Sequence, residues 1–592
     1  MHDQRPALAP WPLEVLLGRT AVESERDGRI FDLPLAKIWR APADVNLATE
    51  VMGHPVATPL GPAAGPHTQL AQNIVLSWLT GGRTFELKTV QILDALDIPR
   101  PCIDMATAGT NVEWSQELRL EESLEEYAKA SLMLGVLREW DPIRARTGVA
   151  GPHLFELSVG YNLEGIRTER MAGFLDAVSD ASTILDELRG RIPDPFRSFT
   201  DVDLPSCLAH SATLSTFHGC PPDEIEAIVQ HLMVRHGLDV TVKLNPTLLG
   251  PTRVKEILHD RLGWTDLHLV PEAFEEDLQF DRALEMLMDL DAFAQAEGRR
   301  FGVKLTNTLV VENHAGRLPG ERMYLSGHPL HVISATLLAD LDWALPGLLR
   351  LGVRDDSPSP VAFSAGVDRE NVADLVGLGL EPVTVCSDLL RPGGYARQTL
   401  MLKSLCEAMR NAGCADLPAW RAHCDARALA DGYETSAAAY AARLATPEGA
   451  ARYCQEAVAP PKRNDGVLEL WDCCSCNLCV TVCPNDAMIR LGSPAALDDM
   501  LEKKWQYLCL ADLCNDCGNC TTFCPELGSP HLAKPRLHLT DRKWDSHEPN
   551  SYFLTPAPGG FVVAGDAYAG EVSAVVNGDR GLPVRGSDLT ES

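Results

Sequence analysis

No stretch of the chain reaches the roughly 18 consecutive apolar residues that a membrane-spanning helix needs, so no transmembrane segment is expected. Cations are scarce: 52 Lys and Arg stand against 82 Asp and Glu, for a formal net charge of −30 and a pI near 4.9. Nucleic acid and anionic membrane both require a cationic surface, so neither is expected as a partner. The N-terminal MHDQRPALAPWPLEVLLGRT lacks the charged segment and apolar core of a secretion signal. G-x-G-x-x-G is absent, which argues against a Rossmann-type NAD or FAD unit. Eighteen cysteines scattered over 592 residues fit a reducing compartment rather than a disulfide framework, and the cytoplasm is the expected location. What remains is an ordinary globular composition, 45% apolar and 23% charged, in a chain long enough for more than one domain.

Two stretches carry the sharpest signal. DCCSCNLCVTVCPN (472–485) and LCNDCGNCTTFCPE (513–526) reduce to the same comb, C-x2-C-x2-C-x3-C-P. This is the run that holds cubane [4Fe–4S] clusters in bacterial two-cluster ferredoxins. Three thiolates two residues apart wrap one corner of a cube, while the fourth starts a helix that points to the other cube. Cluster I is therefore expected on Cys473, Cys476, Cys479 and Cys524, and cluster II on Cys514, Cys517, Cys520 and Cys483. Zinc sites use two pairs of ligands rather than a tight triplet. Cys474 and Cys509 fall outside the comb.

Upstream, short apolar β-type runs alternate with helical stretches: HPVATPLG (54–61), FELKTVQI (85–92), HLFELSVGY (153–161), ATLSTF (212–217), DVTVKLNP (239–246), RFGVKLTNTLV (300–310), PVAFSAGV (360–367) and EPVTVCSDL (381–389). Between them PDEIEAIVQHLMVRHG (222–237) has helical spacing and an acidic first turn after proline. Eight parallel strands alternating with helices predict an α/β fold, a (β/α)8 TIM barrel, with a doubly wound sheet as the alternative. The expected organisation is an N-terminal extension at 1–50, the barrel at 51–412, an Ala-rich helical linker at 413–465, a two-[4Fe–4S] ferredoxin-like α+β domain at 466–530, and a β-rich tail at 531–592.

In such a barrel the catalytic groups stand at the C-terminal ends of the strands. Those ends bring small residues in PLGPAAGPHTQ (59–69), where a planar cofactor can approach the backbone. They also bring Lys88 in an apolar strand, Asn111 and Glu113 on alternate extended positions, and Lys243. Asn307 and Thr308 follow, then Gly366, Cys386 and Ser387 before helix starts, where backbone amides hold phosphate well.

This series resembles the FMN-binding barrel of the dihydroorotate/dihydropyrimidine dehydrogenase family, in which a barrel also precedes a two-cluster ferredoxin domain. The resemblance implies FMN held by Ala63, Ala64, Gly65, Lys88, Thr89, Lys243, Gly366 and Ser387, with Asn111, Glu113, Asn307 and Thr308 on the substrate. TPLGPAAGPHTQLAQNIVLSWLTGG, SVGYNLEGI, STFHGCPPDEIE, VKLNPTLLG and CNDCGNC look closer still to a branch labelled selenate reductase or glutamate-synthase-like iron–sulfur subunit. Longer members of that branch carry an FAD/NAD(P) module, which implies a separate FAD/NAD(P)-binding reductase or other redox subunit as partner here. One departure concerns the fourth strand, where the family has Asn-Leu-Ser-Cys-Pro with the Cys as acid/base. Here the chain reads ATLSTFHGCPPDE, leaving Cys220, on a loop that can swing over a flavin, or His218, which titrates nearer neutrality, as proton donor. The implied activity is hydride exchange between FMN and a C=C or C=N bond of a small, N-heterocyclic, pyrimidine- or purine-like substrate, with electrons carried by the two clusters. The alternative is an electron-relay subunit of a molybdenum-dependent hydroxylase or selenate reductase, without a substrate of its own.

Overall fold

The computed structural model describes residues 6–93, 96–112, 116–147, 151–215, 219–352, 359–493, 501–545, 547–557 and 560–565. Eight strands among them build a parallel barrel: β1 Leu60–Pro62, β2 Thr84–Glu86, β3 Leu154–Gly160, β4 Ala209–Ser215, β5 Asp239–Leu244, β6 Phe301–Leu305, β7 Ser359–Phe363 and β8 Val383–Val385. They pair in the order β1-β8-β7-β6-β5-β4-β3-β2. The two free edges meet where Arg83 N donates to Leu60 O at 2.8 Å. Gly61 makes that approach possible, because a Cβ there would stand 1.5 Å from Thr84 O. β3 and β7 are buried at every position, as expected of parallel strands covered on both faces.

The helices show why the apolar period was readable. Pro222–His236 starts behind Pro221, carries Asp223 and Glu224 in its first turn, buries Ile225, Ile228, Val229, Leu232 and Met233, and ends at Gly237 with φ 66°. In the linker, Leu417–Ala430 and Ser436–Ala445 are capped by Asp416 and Thr435, whose side chains accept from Ala419 N and Ala438 N.

Two boundaries differ from the sequence reading. His54–Val56 does not open the barrel; it pairs antiparallel with Thr49–Val51 around Met52 and Gly53. Both turn residues have positive φ, 47° and 72°, the requirement of a tight two-residue hairpin. The run 300–310 also divides: β6 stops at Leu305, and Leu309–Glu312 joins a separate antiparallel sheet with Arg322–Leu325, Thr110–Asn111 and Ile103–Asp104. This small sheet carries residues that line the cavity at the C-terminal ends of the barrel strands.

The comb region folds onto a second sheet, β9 Met488–Gly492, β10 Trp505–Leu510, β11 Arg536–His538, β12 Ser551–Ala557 and β13 Gly560–Gly565, in that order. β11 to β13 continue the sheet beyond residue 530, so the part of the tail described belongs to the comb domain. That domain is bonded firmly to the barrel. Asn519 Nδ2 donates to Leu390 O and Val482 O at 2.8 and 2.7 Å, Tyr395 OH to Pro484 O at 2.7 Å, and Arg19 pairs with Asp486 at 2.6 Å. One contiguous apolar core includes Leu16, Leu157, Leu405, Tyr440, Val480 and Phe523, from the N-terminal helix through barrel and linker into the combs.

Candidate active site

A cavity of about 240 Å³ opens at the C-terminal ends of the barrel strands, the room of one flat ring system. Its walls come from many elements. The segment after β1 gives Ala63, Ala64, Gly65 and Pro66, and the one after β2 gives Lys88, Thr89 and Gln91. β3 ends in Gly160 and Tyr161, and β4 in Ser215. Lys243 stands on β5, Thr306 to Thr308 follow β6, Ser364 follows β7, and Cys386 and Ser387 follow β8.

Hydrogen bonds fix much of this wall. Thr89 Oγ1 and Ser158 Oγ are 2.8 Å apart. Asn307 Nδ2 donates to Asn245 Oδ1 at 2.8 Å, while Ser215 Oγ donates to Asn307 Oδ1 at 3.2 Å. Ser387 Oγ donates to Ser326 Oγ at 3.0 Å, which joins the β8 turn to the start of the helix Gly327–Ala344. Asn111 lies in the capping sheet and lines the same space with Tyr324.

The electrostatics are set by buried cations. Lys88 is 2% exposed, and burial pushes its ammonium down to about 8. Burial also lowers Lys243, against the pull of Glu86. Among the described residues no group accepts a hydrogen bond from the Lys243 ammonium, which lines the cavity. Beneath them Lys304 Nζ donates to Glu86 Oε2 at 2.5 Å and Thr384 Oγ1 at 3.1 Å, and Glu86 Oε2 also accepts from Ala64 N at 2.9 Å. The small-residue wall is thus tied to an ion pair inside the barrel. This donor set fits a planar ligand that is electron-rich on the lysine side, the chemistry of a flavin.

The structure brings Ala63, Ala64, Gly65, Lys88, Thr89, Lys243, Ser387, Asn111, Asn307 and Thr308 to this one cavity. Gly366 does not line it. Its φ is 56° and a Cβ there would sit 2.4 Å from Gly327 O, so it serves a backbone contact while Ser364 faces the cavity in its place. Cys220 does not line it either: it is 3% exposed in the apolar core, and burial, with Glu224 adding, pushes its thiol up to about 12. Glu113 and His218 lie outside the described residues. Tyr161, Ser215, Tyr324 and Ser326 were missed. Tyr161 had a visible signal, since it closes the apolar run 153–161.

The comb thiols fall into two groups that cross the combs. Cys473, Cys476, Cys479 and Cys524 line one narrow space, with Cys474 beside them. Cys514 raises Cys483, both raise Cys520, and Cys517 feels Cys483 and Cys520. Burial and then Cys514 push Cys483 up to about 12. Thiols so crowded, five of the eight buried, would fit a cationic inorganic core that stabilises their thiolates. Among the described residues no set of three or more His, Cys, Asp or Glu side chains is arranged to hold a single metal ion. The second group touches the active site: Cys102 N and Ile103 N both donate to Cys517 O, at 3.1 and 3.0 Å, and Ile103 lines the cavity.

Residues 31–437 match the family model of the oxidoreductase YgfK N-terminal TIM-barrel domain. The chain is 41% identical over 417 residues to YgfK of Escherichia coli (strain K12), and equally to YgfK of Escherichia coli O157:H7, both named as oxidoreductases. The match covers 67% of this chain and 39% of each relative, so the chain spans about two fifths of the length of the curated relatives it matches. Among solved structures, ligand-free DHODH from Eimeria tenella has a TM-score of 0.40 at 16% identity, covering 64% of this chain and 93% of that one. The same enzyme in complex with ferulenol gives 0.41 at 15%, covering 69% and 94%. Nothing in these matches bears the selenate reductase label. Among the described residues no helix is long and apolar enough to cross a membrane.

Proposed function

The chain belongs to the family of the oxidoreductase YgfK N-terminal TIM-barrel domain, and from that premise we propose that it is a flavin- and iron–sulfur-dependent oxidoreductase subunit acting on a small N-heterocycle. The observation that carries this reading is a shared wall: Ile103 lines the lysine-floored cavity and its amide donates to the carbonyl of Cys517 at 3.0 Å.

FMN would lie against Ala63–Gly65, with Lys88, Thr89 and Lys243 on its polar side and Ser364, Ser387 and Ser326 toward its phosphate. When bound, the flavin supplies hydride exchange with a C=C or C=N bond, and two [4Fe–4S] clusters on the crossed thiol groups supply one-electron transfer. The chain's own contribution is to orient and to exclude water. Asn111, Asn307 and Thr308 present amide and hydroxyl groups to a ring with alternating donors and acceptors. Lys88 and Lys243, both lowered by burial, gain most when negative charge develops beside them. The segment after β4 is proposed as the proton source: His218, or Cys220, which would have to leave its buried place outside the cavity to serve. Burial keeps the Cys220 thiol protonated at neutral pH, and by pushing it up to about 12 also makes it a reluctant donor.

Electrons would reach a separate FAD/NAD(P)-type subunit through the first thiol group. Cys476 is exposed, and Val467, Trp471 and Leu527 of the same domain are 64%, 40% and 62% exposed.

The test is the visible spectrum and cofactor content of anaerobically purified protein. About one flavin and about eight irons per chain support the proposal. Iron without flavin would turn it into an electron relay, and neither would end it. Cys220→Ala should keep both cofactors and slow turnover by roughly 100-fold or more; unchanged turnover moves the proton source to His218.

A further inference from the structure

A second cavity, of about 690 Å³, lies where the segment 31–40, the start of the helix Ala396–Asn411 and the first comb helix Leu478–Thr481 meet. It shares no lining residue with the active-site cavity. Its size falls within the ~300–1,000 Å³ of small-molecule sites. The floor is apolar and buried, with Phe31, Leu33, Ile38 and Tyr395.

The mouth carries charge of the sign this chain is short of. Lys37, Arg40 and Lys403 all line it, and none has an ion-pair or hydrogen-bond acceptor for its side chain among the described residues. The other charges around the cavity are turned elsewhere, Arg490 lying over the Trp505 ring at 4.4 Å from its centroid. Arg397 makes two 2.6 Å bonds to Asp388. The two lining acids turn to other cations: Asp32 accepts from Arg29 Nη1 at 2.7 Å, and Asp486 pairs with Arg19 at 2.6 Å. Three uncommitted cations around one opening, in a chain with a net charge of −30, leave a local positive field that an anion would complete. An apolar floor beneath such a field suits a ligand with an apolar ring at one end and phosphates at the other.

We propose that this cavity binds a nucleoside diphosphate, its ring on the apolar floor and its phosphates between Lys37, Arg40 and Lys403. Cys483 lines the same space, so the ligand lies against one of the eight comb thiols. The proposal stands apart from the reading of the active site, because its test reads binding alone.

The experiment is calorimetric titration of the full chain with ADP, with adenosine and inorganic pyrophosphate as separate arms. ADP is expected to saturate, and each half-ligand to bind at least about tenfold more weakly. The double variant Lys37→Glu/Lys403→Glu is expected to weaken ADP by at least about tenfold, while the exposed Lys255→Glu control leaves it unchanged. Failure of ADP to saturate at millimolar concentration overturns the proposal, as does equal affinity in the double variant. Pyrophosphate binding as tightly as ADP reduces the site to an anion patch and overturns the nucleotide reading.

Discussion

Glu156→Gln is expected to stabilise the protein, and only above a definite pH. Glu156 stands on β3 and is 3% exposed. Its one hydrogen bond among the described residues is from Ser211 Oγ, at 3.4 Å. Lys304 is near, but its ammonium is held by Glu86 and Thr384. Burial therefore dominates and pushes Glu156 from 4.5 up to about 7, with Lys304 opposing and Glu86 adding. A carboxyl raised in the folded state adds nothing unfavourable below its unfolded value. The penalty for ionising it grows as pH rises from 4.5 to about 7 and is constant above. The shift corresponds to about 3 kcal/mol at 1.36 kcal/mol per unit. Glutamine keeps the shape and cannot ionise. Unfolding of both proteins, followed anaerobically between about pH 4 and pH 9, should show the variant gaining about 3 kcal/mol relative to the parent across that window. A difference that stays flat with pH would refute the reasoning, because Glu156 would then be paired or hydrated in a way this structure does not show.

The neighbouring carboxylate should answer with the opposite sign. Burial raises Glu86, but Lys304 and Lys243 more than offset it, so Glu86→Gln leaves Lys304 uncompensated and should lose about 3–5 kcal/mol in the same unfolding assay. Lys88→Met should weaken flavin retention by about 10- to 100-fold in equilibrium dialysis. In the parent, retention should fall as pH rises through about 8, where Lys88 loses its charge, and in the variant this dependence should vanish. Cys524→Ser should remove iron from the centre of the first comb while the second keeps its electron paramagnetic resonance signal, and Cys483→Ser should do the reverse. If each variant damaged its own comb, the crossed assignment would fall. Asn519→Ala strips Leu390 O and Val482 O of a donor, and should lower stability by about 2 kcal/mol in thermal unfolding.

The eight barrel strands were legible because parallel strands buried on both faces read as apolar runs, and the runs at 153–161 and 239–246 land on β3 and β5 to within two residues. Lys88 and Lys243 stood out because a cation inside such a run needs a reason. The capping sheet left no comparable trace. Its strands are two to four residues long, and Thr110–Asn111 pairs with Arg322–Leu325 more than 200 residues away, so no local period records it. Glu86, Glu156 and Lys304 were visible as charges within apolar runs, yet which carboxylate the lysine serves is decided by packing across the barrel. Cys220 was read from its neighbours Pro221 and Pro222, and neighbours in sequence do not say which way a thiol faces. The comb spacing predicts which cysteine leaves its own loop, and Cys524 does line one space with Cys473, Cys476 and Cys479.

The double amide contact from Cys102 and Ile103 to Cys517 also bears on how this architecture could have been assembled. A comb unit tethered to a barrel by a linker alone could be exchanged like a cartridge. Here one strand of the pocket's rim is anchored on the loop that carries Cys517. Excising the combs would strip the rim of its anchor, and any replacement would have to offer a carbonyl at the same spot.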